Sequence, residues 1–181
     1  LDRALRARTT QTLAQHFSGI DRGALFTALP LWLTTLADVG DLLPLEPEQF
    51  DLAVVDEATQ CDLASPLPAL HRARRAVVTG DPKQLRHVSF LSQARILQLA
   101  ERHDVSPDEL DAVHYRRRSL LDLVTERAAS QAQVVLLNEH FRSQPRIIAF
   151  SNREFYGERL KVMTQRPETV RHPSLELRRV P

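Results

Sequence analysis

The chain has 181 residues, 43% of them hydrophobic, and its 24 Lys and Arg against 23 Asp and Glu leave a formal net charge of +1. That length suits one domain, or one domain and part of another, with a real core, and the balanced charge excludes a global basic field, so any nucleic-acid binding must rest on local clusters. The single Cys61 excludes a disulfide framework and a Cys-rich zinc site and suits a reducing, intracellular, cytoplasmic setting; no apolar run approaches the ~20 residues of a membrane span, and the start does not read as a signal peptide.

Residues 1–17 place Leu5, Leu13 and Phe17 at multiples of four with Arg and Gln between them, an amphipathic helix pattern. A chain that begins with Leu, already in helical pattern, reads as an excised piece. Residues 18–23 break the pattern, 24–29 form a candidate strand, and 30–35 leave it as a turn. Residues 41–49, with Pro44 and Pro47, read as an extended loop. The run 52–55 has two β-branched residues and the pattern of a strand buried on both faces of a parallel sheet. A helix over 62–72 is confined or kinked by Pro66 and Pro68, and 76–79 is a second short buried strand.

Further along, 91–102 carries Leu91, Ala94, Leu97 and Leu99 at helical spacing, and Ser106-Pro107 opens another helix with Ser as cap. The next helix starts near Ser119 and turns Leu120, Leu123 and Val124 inward. Residues 133–137 are a third strand candidate, followed by a helix over 145–155 with Ile147, Ile148 and Ser151 on one face. A strand at 175–180 is possible in the tail. Alternating short strands and helices predict an α/β fold with a parallel sheet.

Three stretches carry chemistry. Asp56 and Glu57 follow the 52–55 strand without a break, at the sheet edge where open α/β folds bind ligands. Mg²⁺ held with a nucleotide wants one or two carboxylates plus phosphate oxygens and waters, which suits Asp56 as the metal and cofactor ligand. Glu57, one residue on, suits proton removal from an attacking water. Acidic residues after a strand also cap helices, and the dipeptide alone leaves both readings open. Gln60 adds an amide that can face the same phosphate.

The second stretch, Gly-Asp-Pro-Lys-Gln-Leu over 80–85, follows the next strand at the same edge, where Asp81 and Gln84 offer an acceptor and an amide to the γ-phosphate region. Alone it is also a turn signal. Asn-Glu-His-Phe-Arg-Ser over 138–143 places Arg142 between a strand and a helix, where an arginine finger would sit; a surface Arg in a helix cap is the competing reading.

In this order and spacing, Asp-Glu-Ala-Thr-Gln, Gly-Asp-Pro-Lys-Gln-Leu and Glu-His-Phe-Arg-Ser resemble motifs II, III and IV of superfamily 1 helicases. The most similar branch contains the nonsense-mediated-decay helicase and the DNA replication helicase/nuclease type, most of whose members move 5′ to 3′. The resemblance covers 24–157. It implies a partial RecA-like P-loop NTPase sheet with flanking helices over 1–130, then the start of a second RecA-like lobe over 131–181. It implies ATP and Mg²⁺ as cofactors, with Asp56 on the metal, Glu57 activating water, Gln60 sensing the γ-phosphate, Gln84 coupling it to the strand site, and Arg142 as finger. The loop 30–35 resembles one that touches nucleic acid in this branch, which places Pro30, Trp32 and Thr35 toward single-stranded DNA or RNA; a buried indole is the other reading of Trp32.

The pattern also departs from the family. None of Gly19, Gly23, Gly40, Gly80 and Gly157 precedes Lys-Ser or Lys-Thr, so the P-loop that cradles ATP is absent, and the later motifs do not appear. The expectation is a middle segment of a larger enzyme, inactive without the missing remainder, with exposed apolar surface where the P-loop strand would pair. The alternative is a non-catalytic helicase-like module that binds nucleic acid or protein. Arg72, Arg74 and Arg75, and Arg116 to Arg118, form two basic clusters that read as solvated faces or phosphate contacts. The histidines show no ligand spacing.

Overall fold

A computed structural model describes residues 16–164 apart from Ser18. They form two compact units, the first ending at Arg127 and the second starting at Ala128. Most of the helix expected over 1–17 and the strand expected over 175–180 lie outside the described residues.

The first element, α1 (Arg22–Ala28), occupies the stretch expected as a strand. Asp21 supplies the cap that overrides that reading, accepting from the Ala24 amide at 2.8 Å. Leu25 and Leu29, one turn apart, then pack toward Phe17, so the helical period satisfies the burial that an alternating pattern would have lost. The run 30–35 is irregular, as expected. A short helix, α2 (Val39–Leu42), shortens the loop expected over 41–49, which begins at Leu43.

The strand β1 (Ala53–Val55) pairs in parallel with β2 (Ala76–Val78), in the register Ala53 to Ala76 and Val55 to Val78. An isolated parallel bridge from Phe50 to Ala73 extends the pairing upstream. Between the strands run a 3₁₀ turn (Ala58–Gln60) and α3 (Leu67–His71), the latter confined by Pro66 and Pro68 as its sequence requires. The expectation that β1 is buried on both faces is corrected. Val55 is buried, but Val54 on the opposite face is 62% exposed and Val77 beside it 46%. A two-stranded sheet has one covered face here, formed by Val55, Ala58 and Leu120 with Cys61, Leu70, Val78 and Leu121 against them. The other face, with Val54 and Val77, is exposed.

The helices α4 (Gln93–Arg102) and α5 (Pro107–Ala112) follow. The inward residues of α4 are Ile96 and Ala100 rather than Leu91 and Leu97, which stay exposed. Ser106 starts α5 with a full capping box, its hydroxyl accepting from the Glu109 amide while Glu109 accepts from the Ser106 amide. Helix α6 (Leu120–Arg127) buries Leu120 and presents Leu121 to the core, whereas Val124 is exposed.

In the second unit the strand expected over 133–137 is displaced. That run makes no ladder and Leu137 is 83% exposed; pairing begins only at β3 (Glu139–His140), parallel to β4 (Lys161–Val162). No strand among the described residues lies beside 133–137 to accept its backbone hydrogen bonds, so its strand composition is not realised. Helix α7 (Pro145–Tyr156) connects them and ends at Gly157, whose φ of 57° is the left-handed cap that glycine adopts at little cost. Asn152 then fixes the return by donating to the Leu160 carbonyl and accepting from the Leu160 amide, both at 3.0 Å. Ile148 and Ser151 are half-buried on one face of α7, and Ile147 is exposed.

Candidate nucleotide-facing site

Parallel pairing brings the carboxyl ends of β1 and β2 side by side, and two of the three sequence motifs leave from there. The Thr79 amide donates to the Val55 carbonyl at 2.8 Å and the Ala58 amide donates to the Thr79 carbonyl at 2.8 Å, so the ladder continues beyond both strands into the loops. Asp56 lies between these bonds. Its Oδ1 accepts the Thr79 hydroxyl at 2.5 Å and the Glu57 amide at 2.9 Å. The hydroxyl of Thr79, and after it the Glu57 amide, hold the Asp56 carboxyl below the usual carboxylate range, against a small opposing effect of burial. The carboxylate is exposed.

Glu57 caps the 3₁₀ turn in the left-handed region, at φ 53° and ψ 40°. A non-glycine residue there is uncommon and held by its surroundings. The anchors are visible: Ala58 and Thr59 are buried beneath it, the Gln60 amide donates to the Glu57 carbonyl at 2.8 Å, and the His87 amide donates to the Thr59 carbonyl at 3.1 Å. The kink turns the chain off the strand, so Asp56, Glu57 and Gln60 all stay exposed over a packed floor.

Gly80 presses against that floor. A Cβ added there would sit 3.2 Å from the amide nitrogens of Ala58 and Thr59 and from Leu121 Cδ2. The glycine therefore serves close approach between the two loops. After it, Asp81 organises the turn: its Oδ1 accepts from the Lys83 amide at 2.9 Å, and its Oδ2 from Gln84 Nε2 at 3.1 Å. Asp81 and Gln84 are thus brought together as a pair.

The loop 30–35 belongs to the same unit but meets the strand at its other end. Trp32 is half-buried, donates Nε1 to the Leu29 carbonyl at 2.6 Å, and packs edge-to-face against Phe17, Phe26 and Phe50 with centroids 5.2, 5.8 and 6.4 Å away. Phe50 lies in the isolated bridge upstream of β1, six residues before Asp56, which at ~3.3 Å per residue is roughly 20 Å of extended chain. Pro30 and Thr35 are exposed, and Thr35 Oγ1 donates to Asp38 Oδ2 at 2.6 Å.

Arg142 lies in the second unit, exposed, in the turn between β3 and α7. His140 shapes that turn, its Nε2 accepting from the Ser143 amide at 2.8 Å.

Three features escaped the sequence reading. Thr79 is the partner of Asp56, signalled only by a hydroxyl residue at a strand end. Arg72, read as one of a basic cluster, is 2% exposed and donates to the carbonyls of Leu43, Pro44 and Pro68 at 2.6, 3.0 and 2.5 Å. Its guanidinium joins α3 to the loop before β1 instead of facing phosphate. The third is the Ser119-x-x-Asp122 cap of α6, whose spacing is a local sequence signal. Among the described residues no cluster of His, Cys, Asp and Glu could by itself hold a metal, and no helix is long and apolar enough to cross a membrane.

Residues 11–90 match the family model of an AAA domain. Over 137 residues the chain is 31% identical to an uncharacterized ATP-dependent helicase of Mycoplasma genitalium and 30% identical to its homolog in Mycoplasma pneumoniae, alignments that take in 75% of this chain and 12% of each relative. It is also 30% identical over 129 residues to Helicase SEN1 of Saccharomyces cerevisiae, covering 71% of this chain and 5% of that protein. The small parallel sheets with helices between their strands fit part of a P-loop NTPase domain.

Proposed function

Since this chain is a homologue of ATP-dependent helicases of the superfamily 1 type, we propose that it carries the hydrolytic half of an ATP site in a longer nucleic-acid-dependent helicase or translocase. The observation that carries the reading is the joining of two loops at one sheet edge: Asp56 and Glu57 leave β1, the Asp81–Gln84 turn leaves β2, and the Thr79 hydroxyl ties one to the other at 2.5 Å. An open parallel sheet binds its ligand at this edge.

Asp56 suits Mg²⁺. Both of its hydrogen bonds fall on Oδ1, which leaves Oδ2 to the exposed side, and its depressed pKa keeps it anionic. One carboxylate with phosphate oxygens and waters is the donor set this ion takes. When bound, the ion neutralises charge on the phosphate oxygens. Glu57 accepts the proton of the attacking water, and its strained backbone holds the carboxylate clear of the floor. Gln60 and Gln84 offer amides to the γ-phosphate, the latter oriented by Asp81. Arg142 is the arginine finger on the strength of the family resemblance and its exposed place between strand and helix. RecA-like lobes, one ending near residue 130 and a second beginning at 131, complete the reading.

Nucleic acid, DNA or RNA, runs past the loop 30–35. Pro30 and Thr35 contact it, and Trp32 holds the loop in place through its aromatic cluster. The test is ATP hydrolysis by the full-length protein in Mg²⁺, with and without single-stranded DNA or RNA. Strand-stimulated release of phosphate supports the reading, and a full-length protein that binds strands but never hydrolyses ATP rejects it.

A further inference from the structure

The loop that carries Asp81 and Gln84 has a second attachment, at its far end. Arg86 Nη1 donates to Asp122 Oδ2 at 2.8 Å and Nη2 donates to Asp122 Oδ1 at 3.2 Å, a two-pronged pair; Nη1 also donates to the Arg117 carbonyl at 3.0 Å. The neighbouring His87 donates Nε2–H to the Tyr115 carbonyl at 2.5 Å, and its ring meets that of Tyr115 edge-on. Asp122 is a firm anchor. It accepts from the amide and hydroxyl of Ser119 at 2.9 and 2.8 Å, while the Ser119 hydroxyl accepts from the Asp122 amide, so the residue that receives Arg86 also caps α6.

The anchor is in turn fixed to the floor of the site. The Leu120 amide donates to the Cys61 carbonyl at 3.1 Å, Leu120 is buried against Val55 and Ala58, and Leu121 touches the place where Gly80 leaves no room for a side chain. The loop 80–87 is therefore pinned at one end by Thr79 and Gly80, to the 55–59 segment and Leu121, and at the other by Arg86 and His87, to Asp122 and the carbonyls of Arg117, Tyr115 and Thr59.

We infer that Arg86 and Asp122 are a positioning pair: they hold the 80–87 loop so that Gln84 is presented to the nucleotide, without touching the nucleotide themselves. The inference rests on the function proposed above. A guanidinium fork fixes both distance and plane, which a single-point cation cannot do. The pair is partly exposed, with side-chain exposures of 49% and 22%, so its loss should move the loop more than it unfolds the protein. A shift of about 1 Å in a reacting group can cost up to ~10²-fold in rate.

The experiment measures steady-state ATP hydrolysis by the full-length protein for Arg86→Ala, Asp122→Asn and the double variant, alongside thermal unfolding. We expect each single change to lower kcat about tenfold, leave KM for ATP within about twofold, and leave one cooperative unfolding transition. The double variant should be no slower than the worse single one, because both remove one contact. Arg86→Lys should fall between wild type and Arg86→Ala. Hydrolysis by wild type with unchanged kcat in the variants overturns this inference alone, as do multiplying effects or loss of folding in both single variants. Absence of hydrolysis in wild type overturns the functional reading and this inference with it.

Discussion

The hydroxyl of Thr79 donates to Asp56 Oδ1 at 2.5 Å, across the ends of two adjacent parallel strands. This bond makes one site of two loops that the sequence keeps more than twenty residues apart. It stabilises the charged carboxylate, so the folded-state pKa of Asp56 lies below the ordinary carboxylate value of about 3.9. Its contribution to stability is thus present above that ordinary value and is lost as pH falls through the lowered one. Thr79→Val keeps the side-chain shape and removes the donor. Carboxyl titration by NMR should then place Asp56 closer to its ordinary pKa and lessen its share of the acid destabilisation; an unmoved titration would contradict the bond's role.

Gly80→Ala should destabilise the first unit. The added methyl would meet two backbone nitrogens of the buried 58–59 turn and a leucine methyl, all at 3.2 Å, and the backbone atoms can yield only by shifting the floor under Glu57. Overpacking of this kind costs about 1–3 kcal/mol. Denaturant unfolding should show a lower midpoint, and a midpoint equal to or above wild type would mean that the two loops have slack.

Arg72→Leu tests the buried guanidinium. It strips the donors from the carbonyls of Leu43, Pro44 and Pro68 in a place where Arg72 is 2% exposed. Hydrogen bonds to a charged group are worth about 1.5–3 kcal/mol each, so a loss of at least ~3 kcal/mol is expected by chemical denaturation. A solvated arginine of a surface cluster would cost close to nothing, and that result would return Arg72 to its first reading.

Arg142→Ala probes the role carried over from the family resemblance. A finger supplies its charge in the transition state, so in the full-length protein hydrolysis should drop by about 10³-fold, with binding of single-stranded nucleic acid unchanged in a filter or anisotropy assay. Hydrolysis at the wild-type rate would remove Arg142 from the site.

The sequence and the fold agree best where local chemistry decides. Ser106 with Glu109, Pro66 with Pro68, and Pro145 at the start of α7 each fix an element from within a few residues. The positions of the two loops were legible because Asp56-Glu57 and the 80–85 run each follow a short apolar strand run, although Asp56-Glu57 alone also reads as a helix cap. Disagreement begins where the outcome depends on a distant partner. The 133–137 run has strand composition but no strand beside it among the described residues, and Val54 faces solvent because no element among them packs over that face of β1; the 24–29 run is the local exception, where the cap supplied by Asp21 outweighs strand composition. Arg72 and Arg86 were opaque for the same cause, since apart from the Pro68 carbonyl their partners lie 28 or more residues away in the chain.

The central claim is that Glu57 activates the water while Asp56 and the loop partners hold the nucleotide, and one substitution separates those tasks. Glu57→Gln in the full-length protein keeps the shape and removes the base. ATP affinity, read by fluorescent-nucleotide titration in Mg²⁺, should stay within about twofold, while phosphate release should fall by about 10²–10⁴-fold. Turnover at the wild-type rate in that variant would contradict the account.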